Sequence, residues 1–158
     1  HASTGWVRAT DGSAKLVVKG LEAVRTDWTP LARRFQRELL RRVFTDQPVE
    51  AWIVELTGAL RRGELDEELV YRKRIRRELD AYTRNVPPHV AAARQLDREV
   101  REVEYVITTR GPQPVERQTA PLDHAHYLER QLAPAAQAVL PFIGVDFMKL
   151  GGRQLSLF

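Results

Sequence analysis

The chain has 158 residues, 43% apolar and 29% charged, a size and balance suited to one soluble domain with a modest core. No apolar run approaches the ~18 residues of a membrane span. The absence of cysteine excludes disulfides, thiolate nucleophiles and Cys-based zinc sites, and makes a reducing cytosol the default. Lys and Arg number 25 against 21 Asp and Glu, a formal net charge of +4 that permits a nucleic-acid or anionic partner without requiring one. The cations are mostly arginine, the side chain suited to bidentate phosphate contacts; only Lys15, Lys19, Lys73 and Lys149 are lysines. His1-Ala2-Ser3-Thr4 lacks the apolar segment of a signal peptide and reads as a cut piece or a tag remnant.

The first elements are β-prone. Trp6–Ala9 and Lys15–Lys19 flank Asp11-Gly12, a strong hairpin turn. Two strands alone are marginal in water, so this hairpin packs on the segments C-terminal to it or belongs to a larger sheet. From Thr29-Pro30 the period becomes helical, with Thr29 as N-cap and Pro30 in the first turn. Leu31, Phe35, Leu39, Leu40 and Val43 form one stripe, and Pro48 closes the segment. A second helix is expected over residues 49–62, with Trp52, Ile53, Leu56 and Leu60 on one face and Gly63 at its end. Glu64, Asp66, Glu67 and Glu68 then read as carboxylates at the start of a short helix over 67–79.

Asn85-Val86-Pro87-Pro88 breaks the chain, and His89 to about Arg101 reads as another helix. Residues 102–109 alternate Val103, Tyr105 and Ile107 on one face, which predicts a strand turning at Arg110-Gly111-Pro112. Asp123 caps a helix over 124–138, interrupted near Pro134. The fold class expected is α+β, predominantly helical, with short hairpins. No Gly-rich phosphate loop, GxGxxG, GxSxG, HExxH or Asp-x-Asp pair occurs, so no catalytic activity is expected of this chain alone. His124 and His126, two apart on an expected helix, do not align for a shared metal.

Three segments are candidates for binding. Tyr71-Arg72-Lys73-Arg74-Ile75-Arg76-Arg77 holds five cations in seven residues. On the expected helix Lys73, Arg76 and Arg77 share a face, either a solvated surface or a row of phosphate contacts extended by Arg84 and His89. Residues 19–27 place Lys19 at a strand end, where it can reach a phosphate, and Glu22 and Arg25 one turn apart. Gln154-Leu155-Ser156-Leu157-Phe158 is an apolar tip after Gly151-Gly152, to be covered by its own domain or by a partner's pocket.

Several segments together resemble the C-terminal part of bacterial family B DNA polymerases of the DNA polymerase II group. Lys19-Gly20-Leu21-Glu22-Ala23-Val24-Arg25-Thr26-Asp27-Trp28-Thr29-Pro30 looks like the segment where palm hands over to thumb. Leu69-Val70-Tyr71-Arg72-Lys73-Arg74 looks like the basic stretch of the thumb, and Asn85-Val86-Pro87-Pro88-His89-Val90 with Ala92-Ala93-Arg94 is similar to a later thumb run. Pro121-Leu122-Asp123, His126-Tyr127-Leu128, Gln131-Leu132 and Leu140-Pro141-Phe142-Ile143 fit the last helical segment. The final pentapeptide is similar to a bacterial sliding-clamp-binding peptide. The family's KKRY palm motif is not seen before Gly5.

The resemblance implies a palm hairpin and junction over 1–27, a thumb over 28–150 and a clamp-binding tail over 151–158. It implies a DNA-directed DNA polymerase as parent, with its catalytic carboxylates and Mg²⁺ upstream, no cofactor in this segment, and a cytoplasmic, nucleoid-associated location. Its implied DNA contacts are Lys19, Arg25, Tyr71, Arg72, Lys73, Arg74 and His89. Gln154, Leu155, Leu157 and Phe158 are its implied contacts to the sliding clamp. The rivals are a stand-alone nucleic-acid-binding module and a helical interaction domain without DNA.

Overall fold

The computed structural model describes residues 6–8, 14–16, 28–76 and 86–152. They form an α+β, predominantly helical fold around a small three-stranded antiparallel sheet. β1 (Trp6–Arg8) pairs antiparallel with β2 (Ala14–Leu16) in a separate two-stranded sheet, as the hairpin signal predicts. The Asp11-Gly12 turn lies outside the described residues.

α1 (Pro30–Phe44) begins as expected. The Thr29 hydroxyl accepts from the Ala32 N–H, and Pro30 occupies a position whose own N–H has no partner to lose. Leu31, Phe35, Leu39 and Leu40 face the core. α2 (Glu50–Arg61) buries Ile53, Leu56 and Leu60, and the Phe35 ring stacks on Trp52 at 5.3 Å. Gly63 comes next with φ of +79°, a left-handed turn that a Cβ would strain.

The chain then departs from the periodicity. In the described part of the helix expected over 67–79 there is a 3-10 turn, Asp66–Glu68, followed by strand β3 (Tyr71–Arg74), and residues 77–79 lie outside the described residues. The acidic cluster does not act as a set of helix-dipole carboxylates. Glu64 pairs with Arg62, Glu68 with Arg34 at 2.7 Å, and Asp66 with His124 at 2.8 Å. The helix expected from His89 to about Arg101 is also shorter: α3 covers Pro88–Ala93. The first correction has a physical cause. β4 (Glu102–Thr108) offers an edge, and β3 takes it with Tyr71 opposite Tyr105, Arg72 opposite Glu104 and Arg74 opposite Glu102. Stacked aromatics and opposed charges across the ladder favour a strand over the weak helical preference of a four-residue run.

β4 turns at Thr109-Arg110 into β5 (Gly111–Pro114), with Gly111 at φ +93°. The chain beyond is pinned to β4 by bonds from Thr109 N–H to Pro121 C=O and from Asp123 N–H to Ile107 C=O. The Asp123 carboxylate caps α4 (His124–Tyr127) by accepting from the His126 N–H. One wide turn, Leu128–Leu132, joins it to α5 (Ala133–Gln137). Pro134, with no N–H to return to Arg130, accounts for that interruption. α1, α2, β3, β4 and the α4–α5 rod share one apolar core containing Phe35, Ile53, Tyr71, Tyr105, Tyr127 and Leu132.

Candidate nucleic-acid interface

Strand geometry, not a helix face, sorts the basic stretch. Successive side chains alternate across the sheet. Tyr71 points inward and is 7% exposed, its ring stacked on Tyr105 at 5.1 Å and on Tyr127 at 5.6 Å. Arg72, Lys73 and Arg74 are exposed. The Arg72 guanidinium meets the Glu104 carboxylate at 2.8 Å and Glu102 at 3.5 Å, contacts that hold its charge firmly on and spend it within the sheet. Lys73, Arg74 and Arg76 have no described carboxylate partner within ion-pair distance.

Two clefts flank β3. The first, of about 370 Å³, is walled by Tyr71, Lys73, His89, His126, Arg130 and Gln131, with Pro87, Pro88 and Pro134 at its margins. His89 reaches it because Pro87 and Pro88 start α3 and leave His89 in the first turn. Its imidazole is held below its usual basicity by burial and, next, by the Lys73 charge. His126 is likewise pushed down, first by burial; Asp123 and Glu129 oppose this and Arg130 adds to it. The second cleft, of about 570 Å³, brings together Arg33, Arg72, Lys73, Arg74 and Arg76 with Glu67, Glu102 and Glu104, under Trp28 and Pro30. Lys73 borders both clefts.

The fold therefore gathers Tyr71, Lys73 and His89 at one cleft and Arg72, Lys73 and Arg74 at the other. Lys19, Arg25, Arg77, Arg84 and the tail residues Gln154, Leu155, Leu157 and Phe158 lie outside the described residues. His124 and His126 engage different partners, Asp66 and Tyr71, so they do not converge. Among the described residues no group of three or more His, Cys, Asp and Glu is placed to hold a metal ion.

Sequence reasoning missed His126, Arg130 and Arg33 as cleft residues, and missed Glu102 and Glu104 as partners of Arg72. The opposed signs in Arg72/Arg74 and Glu102/Glu104 carried the only hint, because they align only if both segments are strands.

The cationic surface on an α+β core points to a nucleic-acid-handling protein, and comparison with known proteins supplies the class. Residues 3–143 match the model of DNA polymerase family B, and the chain belongs to that family. It is 50% identical over 156 residues to DNA polymerase II of Escherichia coli K12, covering 91% of this chain and 20% of the relative. It is 33% identical over 164 residues to DNA polymerase 2 of Aeropyrum pernix, covering 90% of this chain and 20% of the relative. It is 30% identical over 154 residues to a DNA polymerase of Desulfurococcus sp. strain Tok, covering 85% and 20%. The chain thus spans about a fifth of the length of these relatives. No described helix is long and apolar enough to cross a membrane.

Proposed function

We propose that this chain is the thumb, with the last palm hairpin, of a DNA-directed DNA polymerase of the DNA polymerase II kind. Its work is grip. The observation that carries the reading is the pair of clefts that Lys73 joins, one with Arg130 and the other with Arg33, Arg74 and Arg76, in a family B chain. Lys73, Arg74 and Arg76 neutralise phosphates of the primer–template duplex and displace its counterions, which gives salt-dependent affinity without sequence preference. Lys19 and Arg25 extend the grip at the junction. Tyr71 serves by holding β3 in place from the core side, while Arg72 fixes the register of β3 on β4.

Residues 1–27 are the palm end and junction, 28–150 the thumb and 151–158 the tail. In the tail, Gln154 offers an amide that donates and accepts, and Leu155, Leu157 and Phe158 offer apolar anchors for a groove on the bacterial sliding clamp. A short peptide that orders on binding has a modest affinity, on the order of micromolar. Its effect comes from tethering the polymerase to a ring that encircles DNA. Mg²⁺ and the carboxylates for nucleotidyl transfer belong to the remainder of the polymerase. The cellular setting is repair synthesis in the nucleoid.

A salt titration of duplex binding tests the grip. The expected result is a log–log slope that is negative and the same for unrelated sequences. A flat slope, or binding to one sequence alone, refutes it. Purified sliding clamp tests the tail: removal of residues 154–158 should abolish clamp binding and leave the melting temperature level. A fall in melting temperature with clamp binding intact would make the tail a structural plug.

A further inference from the structure

A chain of hydrogen bonds, buried up to its last link, runs from the start of α1 to the wall of the first cleft, and its proton polarity is fixed at one end. The Thr29 backbone N–H lies 2.9 Å from the Gln131 side chain, and a backbone N–H can only donate. That atom is therefore the Gln131 oxygen. The Thr29 hydroxyl donates to the same oxygen at 3.0 Å while accepting from the Ala32 N–H. The Gln131 nitrogen is left facing the Tyr71 hydroxyl at 3.0 Å, where it too can only donate. Tyr71 accepts there, which leaves its own proton able to go to His126 Nε2 at 2.8 Å. In that arrangement His126 is the neutral ring with its proton on Nδ1. Gln131, 1% exposed, thus ties its own rod to segments 60 and 102 residues away.

We propose, on the strength of the duplex-gripping reading above, that Gln131 is a positioning residue of the grip: it sets the direction of the Tyr71 hydroxyl and so locks β3, the junction before α1 and His126 into one binding-competent arrangement. The direction of the His126 shift, set first by burial, agrees with a neutral ring. The groups facing His126 are Asp123, Glu129 and Arg130 from its own rod, Tyr71 and Lys73 from β3, and His89 from α3.

The isosteric variant Gln131→Glu separates this role from simple packing. A carboxylate at 131 still accepts both Thr29 bonds. Its second oxygen cannot donate to Tyr71, so the Tyr71 proton turns to the carboxylate and His126 must donate to Tyr71 instead. His126 can do so as the Nε2–H tautomer or as the imidazolium, and the added carboxylate favours the charged ring: His126 donates to Tyr71, and Tyr71 donates to the carboxylate. Imidazole takes the added proton rather than the carboxylate because it is intrinsically the stronger base. Gln131→Met removes every bond and has no such rescue.

The test uses this chain, its His126 C2–H resonance and a fluorescent primer–template duplex. His126 of the parent chain titrates below about 6.5, and that of Gln131→Glu above it. Gln131→Glu reverses the polarity of the chain but keeps its bonds and binds duplex as the parent does near pH 6 and near pH 8.5, whereas Gln131→Met binds about tenfold more weakly at both. An unmoved His126 resonance, or a Gln131→Glu variant that matches Gln131→Met at both pH values, overturns the proposal. A parent chain that shows the His126 shift between variants but binds no duplex refutes the proposed function and leaves the hydrogen-bond chain standing.

Discussion

Loss of the positive charge at neighbouring positions of β3 should have different consequences. Lys73 faces both clefts without a described carboxylate partner, whereas Arg72 is spent on Glu104 and Glu102. Lys73→Glu removes one phosphate contact, so the slope of log affinity against log salt should flatten by about 0.9. Between about 50 and 200 mM salt, a fourfold change, one contact accounts for roughly 3.5-fold in affinity, and that much salt sensitivity disappears. Arg72→Gln breaks exposed ion pairs within the sheet and leaves the slope as it was. Fluorescence anisotropy with two duplexes of unrelated sequence, across the salt range, measures both. If Arg72→Gln flattens the slope as much as Lys73→Glu, the strand does not sort the charges and the two-faced account of β3 is wrong. If neither variant changes the slope, the basic stretch is solvated surface.

Acid should destabilise the fold. His89 and His126 are both less basic folded than unfolded, so the unfolded chain binds more protons below about pH 6.5, and the melting temperature falls as pH drops from 7 toward 5; a melting series shows it, and a level profile would contradict the burial of both rings. Phe35→Ala, which empties a fully buried site between Trp52 and Phe147, should cost roughly 3–5 kcal/mol in urea unfolding; a loss under about 1 kcal/mol would mean that α1 and α2 do not share the core. The chain alone should incorporate no nucleotide in primer extension with Mg²⁺ and dNTPs, and any incorporation would place two-metal chemistry where no metal-holding group is described.

The long elements were legible because a single signal dominated each. Thr29-Pro30 and the Leu31–Phe35–Leu39 stripe specify α1 by cap and period together, and Gly63 ends α2 by its backbone freedom. Asp123 likewise caps its helix as its position suggests, and β4 shows its alternation. Tyr71–Arg74 lacked such a signal. Four residues contain barely one helical turn, and a single apolar residue followed by three cations fits either period. What decides it is about 30 residues away: Tyr105 and the two glutamates of β4 supply the stack and the opposing charges that a helix would leave unmet.

The candidate site divides in the same way. Residue types suggest an anionic partner, because cations without matching carboxylates favour an anion whatever backbone carries them. They did not predict which cations remain available. That depends on register: moving β3 by one residue along β4 would set Lys73 against Glu104 and turn the Tyr71 ring out of the core. The Tyr71 hydroxyl, held between Gln131 and His126, resists that slip with two hydrogen bonds, the first buried and the second partly buried, that no other residue of β3 can make. The aromatic that begins the basic stretch is therefore what decides which of its charges face outward. A Tyr71→Phe variant keeps the ring stack and loses both bonds, so it should weaken duplex binding more than its loss of stability explains. Equal losses in the two measurements would show that packing alone sets the register.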